Sequence, residues 1–210
     1  MTNIKFFPEK NVDGIVGWNW IESDTGAWDG PKRDWETSHK PNIEKYCLNF
    51  RTAIQAGGNQ GMYPKLLSTM FHTVYTFEPD PLNFRTLVSN CTDDNIIKMQ
   101  AALGSNNDFC VVNRCTMQNT GMHTVSTNQD GIVPVMQIDQ FDFKNVDLIM
   151  LDLEGYEFNA LVGAAKTIRL HKPVIFAERP TQEIVDLLAK WNYIQIAQSE
   201  MDGVFAYMGR

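Results

Sequence analysis

Hydrophobic positions from about residue 48 onward follow two alternating periods. Runs rich in β-branched and aromatic residues predict strands, and they cover residues 48–56, 73–77, 96–103, 109–112, 132–138, 146–151, 174–177, 193–197 and 204–208. Between them, apolar residues recur at helical spacing, as in Phe84, Leu87, Val88 and Cys91, which would share one helix face. This alternation predicts an α/β fold with a doubly wound, mostly parallel sheet.

The boundaries and depth of several elements can also be predicted. A helix over residues 61–71 follows the first strand, and Asp80 with Pro81 has the sequence of an N-cap and first helical residue. The continuous apolar run at residues 148–151 predicts a strand buried on both faces. Helical spacing returns in two further sets, Phe158, Leu161, Val162 and Ala165, then Ile184, Leu187, Leu188 and Trp191. The last two strands, joined by a turn at residues 201–203, predict a closing antiparallel hairpin.

The first 46 residues differ in pattern from the rest. They contain Trp18, Trp20, Trp28 and Trp35, and turn signals occur at residues 13–14, 29–31 and 40–41. We interpret residues 1–46 as an aromatic-rich N-terminal extension that folds as a lid over a Rossmann-like domain at residues 47–210. The alternative is that its tryptophans cover an otherwise exposed sheet edge or helix.

Composition and charge exclude several classes of protein. Acidic residues outnumber basic ones 25 to 18, the net charge is −7 and the pI is about 5.0. Nucleic acid binding requires many Lys and Arg contacts to phosphate, so we expect no nucleic acid partner. No apolar run is long enough to span a membrane. The first residues lack the apolar stretch of a secretory signal, so we expect no secretion. Four cysteines without a C-x-x-C pair predict reduced thiols and a cytoplasmic protein. The oligomeric state cannot be read from the sequence.

A glycine-rich turn follows the first predicted strand, in the stretch QAGGNQG at residues 55–61. Such a turn lets the backbone approach a ligand, and the next helix presents free N–H groups. Its spacing is not G-x-G-x-x-G, which disfavours a nicotinamide-dependent oxidoreductase. Glu78 ends the next strand, 21 positions after Gly57. An acid there is placed to accept hydrogen bonds from ribose hydroxyls.

Acidic residues also follow later strands of the predicted sheet. Asp152 and Glu154 come after the buried strand at residues 146–151, and Glu178 ends the strand after it. Because ligands bind beyond the carboxyl ends of such strands, these acids should converge at one edge. A salt bridge to Arg179 would account for Glu178 alone, and Glu157 has an alternative role at a helix N-terminus.

Four stretches in this order and spacing resemble the FkbM-type methyltransferases: QAGGNQG, FEPDPLNF, AALG and VDLIMLDLEGYEFNALVGA. The resemblance covers roughly residues 50 to 180. It implies a class I methyltransferase fold with a seven-stranded sheet, S-adenosyl-L-methionine as methyl donor, and transfer usually to oxygen. Many members of the family act on hydroxyls of sugars, so a sugar or glycan hydroxyl is the expected acceptor.

The resemblance also implies a set of cofactor-binding residues. Gly57, Gly58, Asn59 and Gly61 would surround the methionine part of the cofactor, and Glu78 would bind the ribose with Asn83 nearby. Ala102 and Leu103 would flank adenine, although packing alone explains such small residues equally well. Asp152 would lie near the amino group or the methyl donor. The family usually has Asp where this chain has Gln55, so that contact would keep a hydrogen bond and lose its charge.

Methyl transfer to a hydroxyl is assisted by a nearby base. The candidate catalytic residues are Asp152, Glu154, Glu178 and His123, with Glu154 or Glu178 accepting the proton or orienting the hydroxyl. His123 is the alternative base because the ordinary pKa of His lies near neutral pH. A divalent metal held by the clustered acids is a further alternative that no ligand spacing favours. Two other functions stay open: a catalytically idle cofactor-binding module, and a methyltransferase of a non-sugar small molecule.

Overall fold

The computed structural model describes residues 3–10, 16–25, 36–127 and 130–209. Its strands are β1 (Ile4–Lys10), β2 (Val16–Ile21), β3 (Thr52–Ala56), β4 (Thr73–Phe77), β5 (Ile96–Met99), β6 (Ala102–Leu103), β7 (Asp108–Asn113), β8 (Thr124–Thr127), β9 (Val133–Met136), β10 (Val146–Leu151), β11 (Val174–Glu178), β12 (Tyr193–Ser199) and β13 (Asp202–Tyr207). Its α-helices are α1 (Glu36–Tyr46), α2 (Met62–Ser68), α3 (Pro81–Asn90), α4 (Glu157–Val162), α5 (Ala165–His171) and α6 (Gln182–Ala189).

A seven-stranded sheet of order β12-β13-β11-β10-β3-β4-β5 forms the centre of the molecule. Strands β11, β10, β3, β4 and β5 are parallel, and β13 is antiparallel to β11 and to β12. The predicted doubly wound, mostly parallel sheet with a C-terminal antiparallel hairpin is therefore confirmed. The order reverses between β3 and β10, so ligands are expected at the carboxyl ends of these two strands.

Both faces of this sheet are buried, as the apolar run of β10 predicts. Ile149 and Leu151 pack into a core with side chains of α4, α5 and α6, whereas Leu148 and Met150 pack into a second core with side chains of α1 and α2. Successive residues of a strand point to opposite faces, so β10 contributes to both cores. All six residues of β10 are buried, and this rigid strand carries Asp152 directly after it.

The predicted strand at residues 96–103 is in fact two strands in two sheets. The last paired residues of β4 and β5 are Phe77 and Met99, because β4 ends before Glu78 and Pro79. The chain then changes partner, and β6 pairs with β9 in a four-stranded sheet of order β6-β9-β7-β8. Strand β8 in this sheet was not predicted.

The predicted helix that includes Phe158 and Ala165 is divided into α4 and α5. Gly163 stands at the break, where a Cβ would lie 2.0 Å from the Gly104 carbonyl oxygen. Its own carbonyl accepts a hydrogen bond from the Asp139 amide at 2.9 Å. The helix stops because the backbone of this segment packs directly against the end of β6.

Three turn or boundary predictions are wrong. Leu48 is exposed, and the first sheet strand begins at Thr52. The closing turn lies before Asp202, which already pairs with Glu178 in β13. The predicted turn at residues 40–41 lies inside α1, since burial of His39 and Ile43 outweighs the helical hydrogen bond that Pro41 cannot make.

The N-terminal segment packs on the central domain through both of its described regions. Strands β1 and β2 form an antiparallel hairpin, and buried Trp18 and Trp20 contact Met62 of α2. Helix α1 places Ile43 in the core beneath the sheet. Trp28, Trp35 and the turn signals at residues 13–14 and 29–31 lie outside the described residues. No described helix has the length and hydropathy to cross a membrane. Cys47, Cys91 and Cys110 are buried and Cys115 is exposed.

Candidate functional site

The turn after β3 brings the backbones of three strands together. Gly57 has a φ of 80°, and a Cβ at this position would lie 1.8 Å from the Asp152 carbonyl oxygen. The amides of Gly57 and Gly58 donate to the Phe77 carbonyl at 3.1 and 2.9 Å. Only glycine allows this approach, so the turn is fixed between the ends of β4 and β10.

Glu78 is buried at the end of β4 and binds the same turn. Its Oε2 accepts a hydrogen bond from the Asn59 amide and its Oε1 one from the Asp80 amide, both at 2.7 Å. Burial raises the pKa of this carboxyl group to about 7, although the two amides oppose the shift. Each oxygen has a further lone pair for a ligand.

Asp80 caps α3 as predicted and contacts two basic side chains, Arg114 and His123. It accepts from the amides of Leu82 and Asn83, and Arg114 donates to it at 2.6 and 3.0 Å. Burial alone would raise the pKa of Asp80, but the nearby His123 ring and the bonds from Arg114 hold it well below its ordinary value. Asp80 is thus an anionic support behind Glu78.

His123 is a partner of Asp80. Its Nδ1 lies 3.3 Å from Asp80 Oδ2 and its Nε2 lies 3.1 Å from the Thr116 carbonyl. Burial lowers the pKa of His123, but the contact with Asp80 outweighs it and raises the pKa above its ordinary value. Because His123 already contacts Asp80 and the Thr116 carbonyl through its two ring nitrogens, neither nitrogen is free to act as a base.

A cavity beside the glycine turn, termed the first cavity, is lined by most of the residues predicted to bind a cofactor. They are Gly57, Asn59, Glu78, Asn83, Ala102, Leu103 and Asp152. Asn83 donates its Nδ2 to the Thr120 carbonyl at 3.1 Å, whereas its buried Oδ1 has no partner among the described residues. A buried acceptor of this kind needs a donor, and the cavity is where a ligand would supply it.

Gln55 and Gly61 are outside the lining of this cavity. The Gln55 amide is fully buried, donates to the Gly57 carbonyl at 3.0 Å and accepts from Thr76 Oγ1 at 2.6 Å. Gly61 precedes α2 with a φ of 102°. Both residues stabilise the turn on the side away from the cavity. The uncharged side chain at position 55 therefore affects the support of the turn and not the cavity lining.

A second cavity, of about 340 Å³, adjoins the first and shares Gly57, Asn59, Gly121, Asp152 and Glu154 with it. Carboxylates dominate its charged lining: Asp152, Glu154, Glu178, Glu200 and Asp202. Gly58 lines this cavity as well. His123 lines the first cavity and is not part of the described lining of the second. The predicted convergence of Asp152, Glu154 and Glu178 at one sheet edge is therefore present.

Three acids of the second cavity, Asp152, Glu154 and Asp202, have pKa values above those of free carboxyl groups. Burial and the neighbouring Glu178 raise the pKa of Asp152 far above its ordinary value, and the two carboxyl groups are hydrogen-bonded to each other. Burial and Glu178 also raise the pKa of Asp202, to about 7. Close like charges disfavour ionisation of their neighbours, so repulsion adds to burial in favouring the protonated forms of Asp152 and Asp202.

One arginine balances part of this charge. Arg179 Nη1 lies 3.2 Å from Glu178 and 3.8 Å from Glu154. The oxygens of Asp152, Glu154 and Glu178 lie within 4.8 Å of one another, a spacing that a divalent cation could bridge. Glu157 instead binds the turn between them, accepting from the Leu153 amide at 2.7 Å.

Trp20 of the predicted lid lines the second cavity, and the sequence pattern did not predict four further lining residues: His39, Tyr63, Glu200 and Asp202. His39 Nε2 lies 3.0 Å from the Tyr63 hydroxyl, and its Nδ1 lies 2.7 Å from Ser199 Oγ. Burial lowers the pKa of His39 to about 4, so the ring is neutral at neutral pH. No local pattern marks these residues, although Tyr63 follows the glycine turn closely enough to have been considered.

Known proteins resemble this chain in structure and in sequence. A crystal structure of an FkbM methyltransferase from Methylobacillus flagellatus KT is 19% identical with a TM-score of 0.53, and the match covers 76% of this chain and 45% of that one. This chain therefore spans less than half of that protein. TYW2 of M. jannaschii, solved with AdoMet, is 13% identical over 99% of this chain and 88% of that chain, with a TM-score of 0.47. The comparison with curated proteins gives no match.

The model of the methyltransferase FkbM domain matches residues 55–195, which is more than half of the 210 residues. That range contains the glycine turn, Glu78 and the three converging acids. The chain belongs to the FkbM family of S-adenosylmethionine-dependent methyltransferases.

Proposed function

We propose that this chain is an O-methyltransferase that transfers a methyl group from S-adenosylmethionine to a hydroxyl of a sugar or glycan. The observation that carries the proposal is the pair of adjoining cavities, one lined by Glu78 and Asn83 and the other by carboxylates and Trp20. Asp152 and Glu154 line both, which supports a role for them between donor and acceptor.

Two observations favour S-adenosylmethionine in the first cavity. The unpartnered Asn83 Oδ1 calls for a donor, and an adenosyl group offers amino and hydroxyl donors. Gly57 and Gly58 keep the turn free of side chains, and Glu78 presents carboxylate oxygens to the same space. Glu78 and Asn83 would then hold the nucleoside, Ala102 and Leu103 would flank the base, and Asp152 would face the amino or methyl end. When bound, the cofactor supplies an electrophilic methyl group.

The second cavity suits an acceptor rich in hydroxyl groups. Carboxylate oxygens accept hydrogen bonds, and an aromatic face such as that of Trp20 covers the apolar side of a sugar ring. A phosphorylated acceptor or a nucleic acid would meet five carboxylates and a single arginine among the described lining residues. We therefore retain the expectation that nucleic acid is not the acceptor.

Glu178 is our choice of base for the acceptor hydroxyl, with Glu154 as the alternative. Glu178 lines the second cavity, is buried and is hydrogen-bonded to Asp152. Glu154 is more open to solvent, and burial together with Glu178 raises its pKa. Because His123 lies in the first cavity and is paired with Asp80, it enters the proposal as a support for the nucleoside end.

The mechanism needs no metal ion. Arg179 already lies between Glu154 and Glu178, and proton sharing with Asp152 reduces the charge further. Turnover should therefore persist after exhaustive chelation.

The N-terminal hairpin acts in this proposal as the lid of the acceptor cavity. Trp20 of β2 and His39 of α1 both belong to the cavity wall, which favours the lid over mere cover for the sheet. Helix α1 shares a core with the sheet, so a truncation that tests the lid should end before Glu36.

The test is a screen of methyl glycosides with S-adenosylmethionine, following formation of S-adenosylhomocysteine. We expect turnover on at least one glycoside, loss of it in Glu178→Gln, and a smaller loss in Glu154→Gln. Turnover only with non-sugar hydroxyls would favour a small-molecule methyltransferase. Tight cofactor binding without turnover on any acceptor would favour the idle binding module and refute the proposal.

A further inference from the structure

A buried polar cluster joins the N-terminal hairpin to the glycine turn. It consists of Asp24, Gln60 and Thr120, whose exposed fractions are 3%, 0% and 1%, and we term it the Asp24 junction. Asp24 Oδ2 accepts from Gln60 Nε2 at 2.7 Å and from Thr120 Oγ1 at 2.8 Å. Buried polar groups are costly to separate, so these three segments are held together strongly.

Backbone contacts extend the junction along β2. Gln60 Oε1 accepts from the Ile21 amide at 2.8 Å. Asn90, at the end of α3, accepts from the Asn19 amide at 2.7 Å and donates to the Asn19 carbonyl at 2.8 Å, as a neighbouring strand would. It also donates to the Gln60 carbonyl at 2.7 Å. The hairpin is thus bound directly to residues of the glycine turn and of α3.

The other side of the junction faces the first cavity. The Thr120 carbonyl accepts from Asn83 Nδ2 at 3.1 Å, which fixes the side-chain amide with its free Oδ1 available to a ligand. Thr120 Oγ1 also lies 3.3 Å from Asn59 Oδ1. Asn59, Asn83 and Thr120 all line the first cavity, so the junction connects the hairpin with two predicted cofactor contacts.

We propose that Thr120 is a positioning residue for the cofactor, which orients Asn83 and Asn59 only while Asp24 and Gln60 hold it. Cofactor affinity therefore depends on the docked hairpin, a segment outside the matched family range of residues 55–195. The inference rests on the cofactor site and is independent of the acceptor proposed above.

Coupling between two sites is reciprocal. If the docked hairpin strengthens cofactor binding, bound cofactor must stabilise the docked hairpin to the same degree. Trp20, on the same strand, lines the second cavity. Through the Asp24 junction, bound cofactor would therefore stabilise the strand that carries Trp20 in the lining of the acceptor cavity.

The test compares Thr120→Val, which removes the hydroxyl and keeps the shape, with Thr120→Ser, which keeps the hydroxyl. The matched control is Thr167→Val on α5, where Thr167 Oγ1 donates to Asp139 Oδ1 at the same distance, 2.8 Å. Calorimetry with S-adenosylhomocysteine gives affinity, melting gives stability, and amide exchange of β2 with and without that ligand gives the coupling.

We expect Thr120→Val to weaken S-adenosylhomocysteine binding about tenfold, within the usual range of coupling between sites. Thr120→Ser should restore most of the affinity, and Thr167→Val should lower the melting temperature without changing affinity. Saturating ligand should slow exchange of the β2 amides in the unaltered chain, a measurement that needs no variant to fold.

Equal affinities of folded Thr120→Val and Thr167→Val would overturn the inference. So would β2 exchange that is the same with and without saturating ligand. An unaltered chain that binds no S-adenosylhomocysteine would refute the cofactor site itself, and the inference with it. A chain that binds the ligand and methylates no glycoside would refute only the acceptor proposal.

Discussion

Glu78 and Asp80 are two acids separated by one proline, and their environments shift their pKa values in opposite directions. Burial raises the pKa of Glu78 to about 7, whereas the nearby His123 ring and the bonds from Arg114 outweigh burial at Asp80 and lower its pKa. Asp80 is bound to the protein on all sides. Glu78 has lone pairs left for a ligand, which is why we expect Glu78, and not Asp80, to bind the cofactor.

Replacing Glu78 with Gln should weaken S-adenosylhomocysteine binding about tenfold or more, since a hydrogen bond to a charged group is worth about 1.5–3 kcal/mol. Ribose hydroxyls prefer the ionised carboxylate as acceptor. Affinity of the unaltered chain should therefore rise as pH increases through about 7, the pKa of Glu78, and level off above it. Calorimetry across this range should give a flat profile for Glu78→Gln. An equally steep profile in the variant would assign the titration to another group.

Tyr63→Phe should lower turnover by about tenfold and leave S-adenosylhomocysteine affinity unchanged. Tyr63 lines only the second of the two cavities, and we expect its hydroxyl to hydrogen-bond the acceptor there, a contact whose loss costs about this much. Tyr46→Phe on α1, outside both cavity linings, is the matched control. Turnover of the two variants is measured with the glycoside that gives the highest activity in the screen. Equal turnover of the two variants would remove Tyr63 from the acceptor site.

At the scale of elements, the site depends on how closely β3, β4 and β10 approach at their carboxyl ends. Parallel pairing aligns Ala56 with Phe77 on one side and with Leu151 on the other. The residues that follow these strands, Gly57, Glu78 and Asp152, therefore meet at one edge. Buried apolar residues set the register of the three strands, and this register brings residues that are far apart in the sequence together at the candidate site.

Gly57→Ala tests this close approach, and Gly155→Ala is its matched control. Both glycines have positive φ, 80° and 96°, but a Cβ meets the Asp152 carbonyl at 1.8 Å in the first and nothing within 4 Å in the second. Left-handed strain costs Ala about 1–2 kcal/mol at either position. Urea unfolding should show a loss of about this size for Gly155→Ala and a clearly larger one for Gly57→Ala. Equal losses would mean that the turn at Gly57 can move away from the Asp152 carbonyl without loss of stability.

At the scale of the whole molecule, the second cavity collects residues from remote parts of the chain. Trp20 comes from the hairpin, His39 from α1, Tyr63 from α2, Glu178 from β11 and Asp202 from β13. Burial of its acids makes the stability of the protein depend on pH. Asp202, with a pKa of about 7, contributes stability that is complete below the ordinary pKa of Asp and is lost as pH rises through about 7.

Asp202→Asn should therefore gain stability relative to the unaltered chain as pH rises from about 4 to about 7, with no further gain above. Glu78 acts in the same direction, since its pKa is also about 7. His39 opposes both, because its pKa is lowered to about 4, but these two residues are present in both proteins. Urea unfolding at several pH values measures the difference, with the exposed Glu44→Gln as control. A difference that does not vary with pH would contradict the buried-acid account.

Much of the site follows from local sequence. A glycine turn after a strand and an acid at the end of the next strand predict the two ends of a nucleoside site, and both residues line the first cavity. Asp80 followed by Pro81 predicts the cap of α3, which is confirmed. Such signals are local because the backbone of a strand–turn–helix unit imposes them.

The direction of a side chain within that unit is not a local property. Gln55 precedes the turn in sequence, yet its amide faces Thr76 and the Gly57 carbonyl inside the sheet. The strand alternates its side chains between two faces, and the packing on each face decides which one meets a ligand.

By itself, the sequence determined the alternation of strands and helices, the apolar central strand and the positions of the strand-end acids, because these depend on periodicity and on residues close together in the chain. Tertiary structure alone decided that His39 meets Tyr63, that His123 serves Asp80, and that Asp24 reaches Thr120. Those partners are brought together by the order of the strands and the docking of the hairpin. Both result from burial of apolar surface across the whole molecule, which no local pattern records.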